Sequence, residues 1–90
     1  MKPKTNHDIA VSILALIQAE AGARKDCESL IALGGLSDCD KAIVRNMQQD
    51  QTDHIVALLA MVARYDGGIA ASPEVAAALM EVSGEAESGG

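Results

Sequence analysis

Apolar residues recur at spacings of three and four along two long stretches of the chain. The first reads Ile9, Ile13, Leu16, Glu20, Ala23, Cys27, Leu30, and the second reads Val44, Met47, Gln51, His54, Leu58, Met61, Tyr65. This is the period of an amphipathic helix. The ends carry matching punctuation. Thr5 or Asn6 can cap the first helix, which is predicted to run to about Leu33 and to stop at Gly34-Gly35. Ser37 can cap the second, with Asp38 and Asp40 in the first turn, where the helix dipole favours anions. That helix is predicted to end near Asp66, before Gly67-Gly68. Ser72 then precedes Pro73 at the first position of a short third helix, predicted over Pro73 to Val82. No stretch alternates as a strand would.

The connection between the long helices is only a few residues, so they must be antiparallel neighbours. Each is roughly 40 Å long at about 1.5 Å per residue. The expected fold is all-α: a two-helix hairpin with a short C-terminal helix over residues 1–82, and a flexible tail over 83–90. A chain of 90 residues makes one domain at most. A hairpin cannot cover both of its own apolar stripes, but two hairpins face to face make a four-helix bundle. A homodimer, or a higher homo-oligomer, is therefore expected.

Three polar residues interrupt the stripes. Glu20 precedes Gly35 by fifteen residues, and Gln51 and His54 follow it by sixteen and nineteen. In an antiparallel pair they lie at about one height. Gln51 and His54, at i and i+3, share a helix face. A carboxylate from one helix, and a carboxylate with an imidazole at i, i+3 from the next, make half of a di-iron carboxylate site. Glu20, Gln51 and His54 are thus the candidate metal ligands, on the axis of the dimer. The competing reading is a buried network in which the Gln51 amide bridges Glu20 and His54 without an ion.

Around these residues, "ILALIQAEAGARKDCESLIAL" followed by "VRNMQQDQTDHIVALLAMVARYD" resembles the ferritin-like, rubrerythrin-type helix pair over about Ile9 to Asp66. Glu20 matches that family's first-helix metal glutamate, His54 the histidine of its DExxH motif, and Asp50 the Asp before the motif glutamate. Cys27 falls where many relatives carry an aromatic residue. The resemblance implies a ferritin-like four-helix bundle, iron (or manganese or zinc) at a site between chains, and ferroxidase activity. Gln51 departs from the pattern by standing where the motif has glutamate. A neutral amide is a poor substitute for a hard anionic oxygen, so weak binding, a single metal or none is expected, and ferroxidase activity is in doubt. The alternative is a non-catalytic four-helix-bundle interaction or structural protein whose metal site has degenerated, with an unknown protein partner.

Composition narrows this further. Apolar residues make up 49% of the chain, with no Phe, no Trp and one Tyr, so the core must be Leu, Ile, Val, Met and Ala. A net charge of −6 argues against nucleic acid and anionic membrane surfaces as partners. The apolar run "IAVSILALI" is too short to cross a bilayer. No signal-peptide h-region with a cleavage site follows "MKPKTNHD" either, so a cytoplasmic protein is expected. Cys27 and Cys39 lack CxxC or zinc-finger spacing and read as free thiols in a reducing compartment. His7 reads as a solvated residue, and Met47, Met61 and Met80 as core. The third helix, with Val75, Ala76, Leu79 and Met80 on one face, is expected to pack across the end of the bundle.

Overall fold

A computed structural model describes the backbone of residues 5–88 and the side chains of residues 5–82. Every regular element in it is an α-helix: α1 (Asn6–Ala32), α2 (Asp38–Tyr65), the single turn α3 (Gly67–Ala70) and α4 (Pro73–Ser88). Among the described residues no helix is long and apolar enough to cross a membrane.

The ends form as the capping residues dictate. Thr5 caps α1 in a reciprocal box: its hydroxyl accepts from the Asp8 amide, and the Asp8 carboxylate accepts from the Thr5 amide. The Thr5 amide first, and then the Thr5 hydroxyl, hold the Asp8 carboxyl below its ordinary value. Gly34 and Gly35 turn the chain with φ of 77° and 95°, the left-handed region that glycine enters without a Cβ clash. Ser37 caps α2 by accepting from the Asp40 amide at 3.0 Å. Beyond α2 the chain does not simply stop at Gly67-Gly68. The Asp66 carboxylate accepts from the amides of Gly68 and Ile69 and starts α3. Ser72 then caps α4 through the Val75 amide. The α4 backbone stays helical to Ser88, six residues past the expected end at Val82. The flexible tail expected over 83–90 thus falls on a helical backbone as far as Ser88. Its side chains, and residues 89 and 90 altogether, lie outside the described residues.

The hairpin of α1 and α2 is antiparallel, as the short connection requires. One of its sides is covered by α3 and α4. Ala10, Ile13, Ile17, Val62 and Ala78 form the buried cluster, with Leu58, Leu59, Ile69 and Ala70 packed on its edge. The helix α4 lies against the side of α1 rather than across the bundle end, as the Arg24 bond to the Glu81 carbonyl shows. It buries Val75 and Ala78, whereas Ala76, Leu79 and Met80 face outward, with Met80 73% exposed. The expected face of α4 is therefore rotated.

The core also sits about one residue away from the stripes read from the sequence. Ile17 is buried and Leu16 is 55% exposed; Gln48 is buried and Met47 is 49% exposed. Ile13, Cys27 and Val44 belong to both faces and are buried. Because α4 covers one flank of the hairpin, the shared core rotates towards that flank. The stripe through Leu16, Glu20, Leu30, Met47, His54 and Tyr65 is left as a second, uncovered face.

Candidate functional site

The uncovered face holds two of the three candidate ligands together. Glu20 lies one residue from the middle of α1, and His54 lies close to the middle of α2. Antiparallel packing sets them level, and the His54 Nδ1 is 3.3 Å from the Glu20 Oε2. The side chains are 62% and 30% exposed respectively, so the pair opens outward from the hairpin. Exposed Leu16 and Met47 flank it on the same face. Towards the open end of the hairpin the face continues into a groove of about 530 Å³ lined by Ile9, Leu16, Met61 and Tyr65.

Gln51 does not join the pair. Its amide lies 3.9 Å from the Cys27 sulfur, so the bridge expected between Glu20 and His54 is replaced by their direct contact. Asp50 and Asp53 are exposed; Asp53 accepts from Gln49 one turn back on its own helix at 3.0 Å. Among the described residues, no three or more His, Cys, Asp or Glu side chains gather closely enough to hold a metal ion within one chain. Cys27 is buried and Cys39 exposed, both as free thiols.

Two other polar clusters escaped the sequence reading. The first is buried. Arg24 donates from Nε to the Thr52 hydroxyl at 2.7 Å and from Nη1 to the Glu81 carbonyl at 3.1 Å, tying α1 to both α2 and α4. Beside it, the Gln48 amide donates to the Arg24 carbonyl and to Glu28, each at 3.1 Å. No buried side-chain nitrogen or oxygen among the described residues lacks a partner. The signal was present in the other helical phase. Ala10, Ile13, Ile17, Arg24 and Val44, Gln48, Ile55, Val62 are also spaced as helix faces, each interrupted once by a polar residue.

The second cluster closes the open end of the hairpin. His7 is not simply solvated, because its Nδ1 lies 2.9 Å from the Asp66 Oδ2. His7 first, and then the Ile69 and Gly68 amides, hold the Asp66 carboxyl below its ordinary range. One carboxylate therefore starts α3 and pins the beginning of α1. No pattern in the sequence marks a contact between residues 59 apart.

The donor set limits the chemistry. One chain offers one carboxylate and one imidazole, and two chains would offer two of each. A dinuclear iron centre in a helical bundle takes four carboxylates and two imidazoles. With Gln51 neutral and turned to Cys27, the residues present do not fit that centre. Compared with known proteins, the chain matches no family model, no curated protein and no solved structure, so its family is set by none of them and the site must be read from its own geometry.

Proposed function

We propose that this chain is a ferritin-like half-bundle that pairs with a second copy and binds a divalent metal ion at the interface, with Glu20 and His54 as ligands. One observation carries the reading: a carboxylate and an imidazole lie 3.3 Å apart at the centre of an uncovered, mostly apolar helical face. Burying such a pair under a partner costs desolvation that the contact between the two groups repays only in part. A metal ion shared with the second copy removes that cost. Zinc, ferrous iron and manganese all accept such oxygen and nitrogen donors. The role is metal binding rather than ferroxidase chemistry, because the carboxylates that would hold a second iron are missing. The free thiols agree with a reducing, cytoplasmic setting.

The test is metal content per chain. The purified protein is incubated with ferrous iron in air, manganese or zinc, then desalted and analysed. Bound metal that disappears in His54→Ala is the expected result. A well-folded dimer that retains no metal refutes it.

The contact between Gln51 and Cys27 favours a second reading. Here the Glu20–His54 pair is only a polar contact that sets helix register in a non-catalytic structural or interaction protein. His54→Leu would then leave the dimer intact or tighter, since apolar replacement of a buried polar group is often tolerated.

A further inference from the structure

We propose that the Asp66–Gly67 peptide is a modification site, at which the aspartate isomerises to isoaspartate, and that α3 and His7 keep it closed in the folded chain.

The reaction is placed by the sequence. Asp66 is the only Asp or Asn in the chain that glycine follows. In such a pair the main-chain nitrogen of the second residue can attack the side-chain carboxyl carbon of the first. Glycine permits this best, because no Cβ crowds the approach. Here the Gly67 nitrogen attacks the Asp66 Cγ. The N–Cγ bond forms, the hydroxyl of the protonated carboxyl leaves with the amide proton as water, and a five-membered imide results. Water then adds to one of the two imide carbonyls and the C–N bond at that carbonyl breaks. Addition at Cγ restores Asp66. Addition at the main-chain carbonyl leaves isoaspartate, with the chain running through Cγ and a carboxylate directly on Cα. Nothing is oxidised or reduced.

The nucleophile is ready and the electrophile is held. A Cβ at Gly67 would meet no atom within 4 Å, so the glycine lies in open space. Its N–H is the first of α3, and no carbonyl among the described residues accepts from it. The Asp66 Oδ1, however, accepts from the Gly68 amide at 2.9 Å and the Ile69 amide at 3.2 Å. Its Oδ2 lies 2.9 Å from the His7 Nδ1. Both oxygens are thus engaged as acceptors, and an ionised carboxylate has no hydroxyl to lose. His7 first, and then the two amides, keep that ionised form favoured. Ring closure also needs rotation about the Asp66 Cα–C bond, which stands at an extended ψ of 102°. The reaction therefore waits for local opening of α3. A single turn with no buried residue of its own opens more readily than the long helices.

The product does not close the site again. Isoaspartate adds a methylene to the main chain and leaves its carboxylate on Cα, too short to reach the Gly68 and Ile69 amides. The turn loses its cap, His7 loses its partner, and Ile69 and Ala70 lose their hold on the edge of the core. Isomerisation is thus a one-way release of the link between α2 and α4, and it rests on neither the dimer nor the metal.

The full chain, kept at pH 7 both folded and in guanidinium chloride, tests this. Isoaspartate is counted by methyl transfer from tritiated S-adenosylmethionine with a purified isoaspartyl methyltransferase, and fragmentation mass spectrometry locates it. The expected result is steady accumulation at Asp66 in guanidinium chloride and a rate lower by about tenfold or more in the folded chain, where only the opened fraction reacts. His7→Ala, at a largely exposed position, should stay folded and react several-fold faster than the folded parent, with its rate in guanidinium chloride unchanged. Gly67→Ala, whose Cβ enters open space, should suppress the reaction in both states. Absence of isoaspartate at Asp66 in guanidinium chloride overturns the site. Equal rates in the folded and unfolded parent overturn the closure, and a His7→Ala rate equal to that of the folded parent overturns the part given to His7. Hydrogen exchange reads the release: an Ile69 amide as protected in the isomerised chain as in the parent overturns it.

Discussion

Arg24 and Thr52 are joined by a 2.7 Å hydrogen bond from the guanidinium Nε of α1 to a hydroxyl of α2. The same guanidinium reaches the Glu81 carbonyl of α4, so one buried cation links three helices. Thr52→Val removes the acceptor with little change in shape. The expected loss is about 1.5–3 kcal/mol, the usual worth of a hydrogen bond to a charged group. The check is a shift in the urea midpoint without a change in slope.

Leu16 and Met47 contribute little to the monomer core because each is about half exposed. On the proposed dimer face they matter more. Leu16→Glu with Met47→Glu should leave helicity and the unfolding midpoint of the single chain nearly unchanged, within about 0.5 kcal/mol per site. The pair should abolish the dimer, as read by sedimentation in the presence of zinc. A variant that still dimerises would place the partner on another face.

Gln51→Glu restores a carboxylate one turn from His54 on the same face. Added ligand charge tightens metal binding, and the second carboxylate from each chain completes the set that a dinuclear centre needs. The expected outcome is an affinity higher by about tenfold or more and a rise towards two metals per dimer. Titration with ferrous iron under nitrogen measures both. An unchanged affinity would count against the placement of the site.

Asp66 makes the open end of the hairpin sensitive to acid. His7 and two backbone amides hold its carboxyl below the ordinary value of 3.8. The unfolded chain thus takes up the proton more readily than the folded one. The contribution is complete above about pH 5 and is lost as the pH falls through the folded value. Asp66→Asn should be less stable than the parent at pH 6, and the difference should shrink progressively as the pH falls below 3.8, with thermal melts across that range as the measurement. A constant difference between the two chains would mean that the charge of Asp66 plays no part.

Local chemistry made most of the helices legible from the sequence. Thr5, Ser37 and Ser72 start helices because their hydroxyls accept the amides that a helix end leaves over. Gly34 and Gly35 end α1 because the turn needs a positive φ. The short connection dictated an antiparallel pair, and that in turn set Glu20 and His54 level, as the structure has them. These features depend on neighbours in the chain, so the sequence suffices.

Only tertiary packing decided which face of the hairpin became its own core. Two helical phases one residue apart are both apolar: one through Leu16 and Met47, the other through Ile17 and Gln48. Periodicity cannot choose between them, because each satisfies the same spacing. The choice fell to α4, whose Val75 and Ala78 cover one flank and draw Ile17 and Val62 inward. Packing also turned Gln51 towards Cys27, brought Arg24 under Glu81 and set His7 against Asp66. These contacts join residues 24 to 59 positions apart, and each exists only because whole helices, not neighbouring residues, determine where a side chain ends.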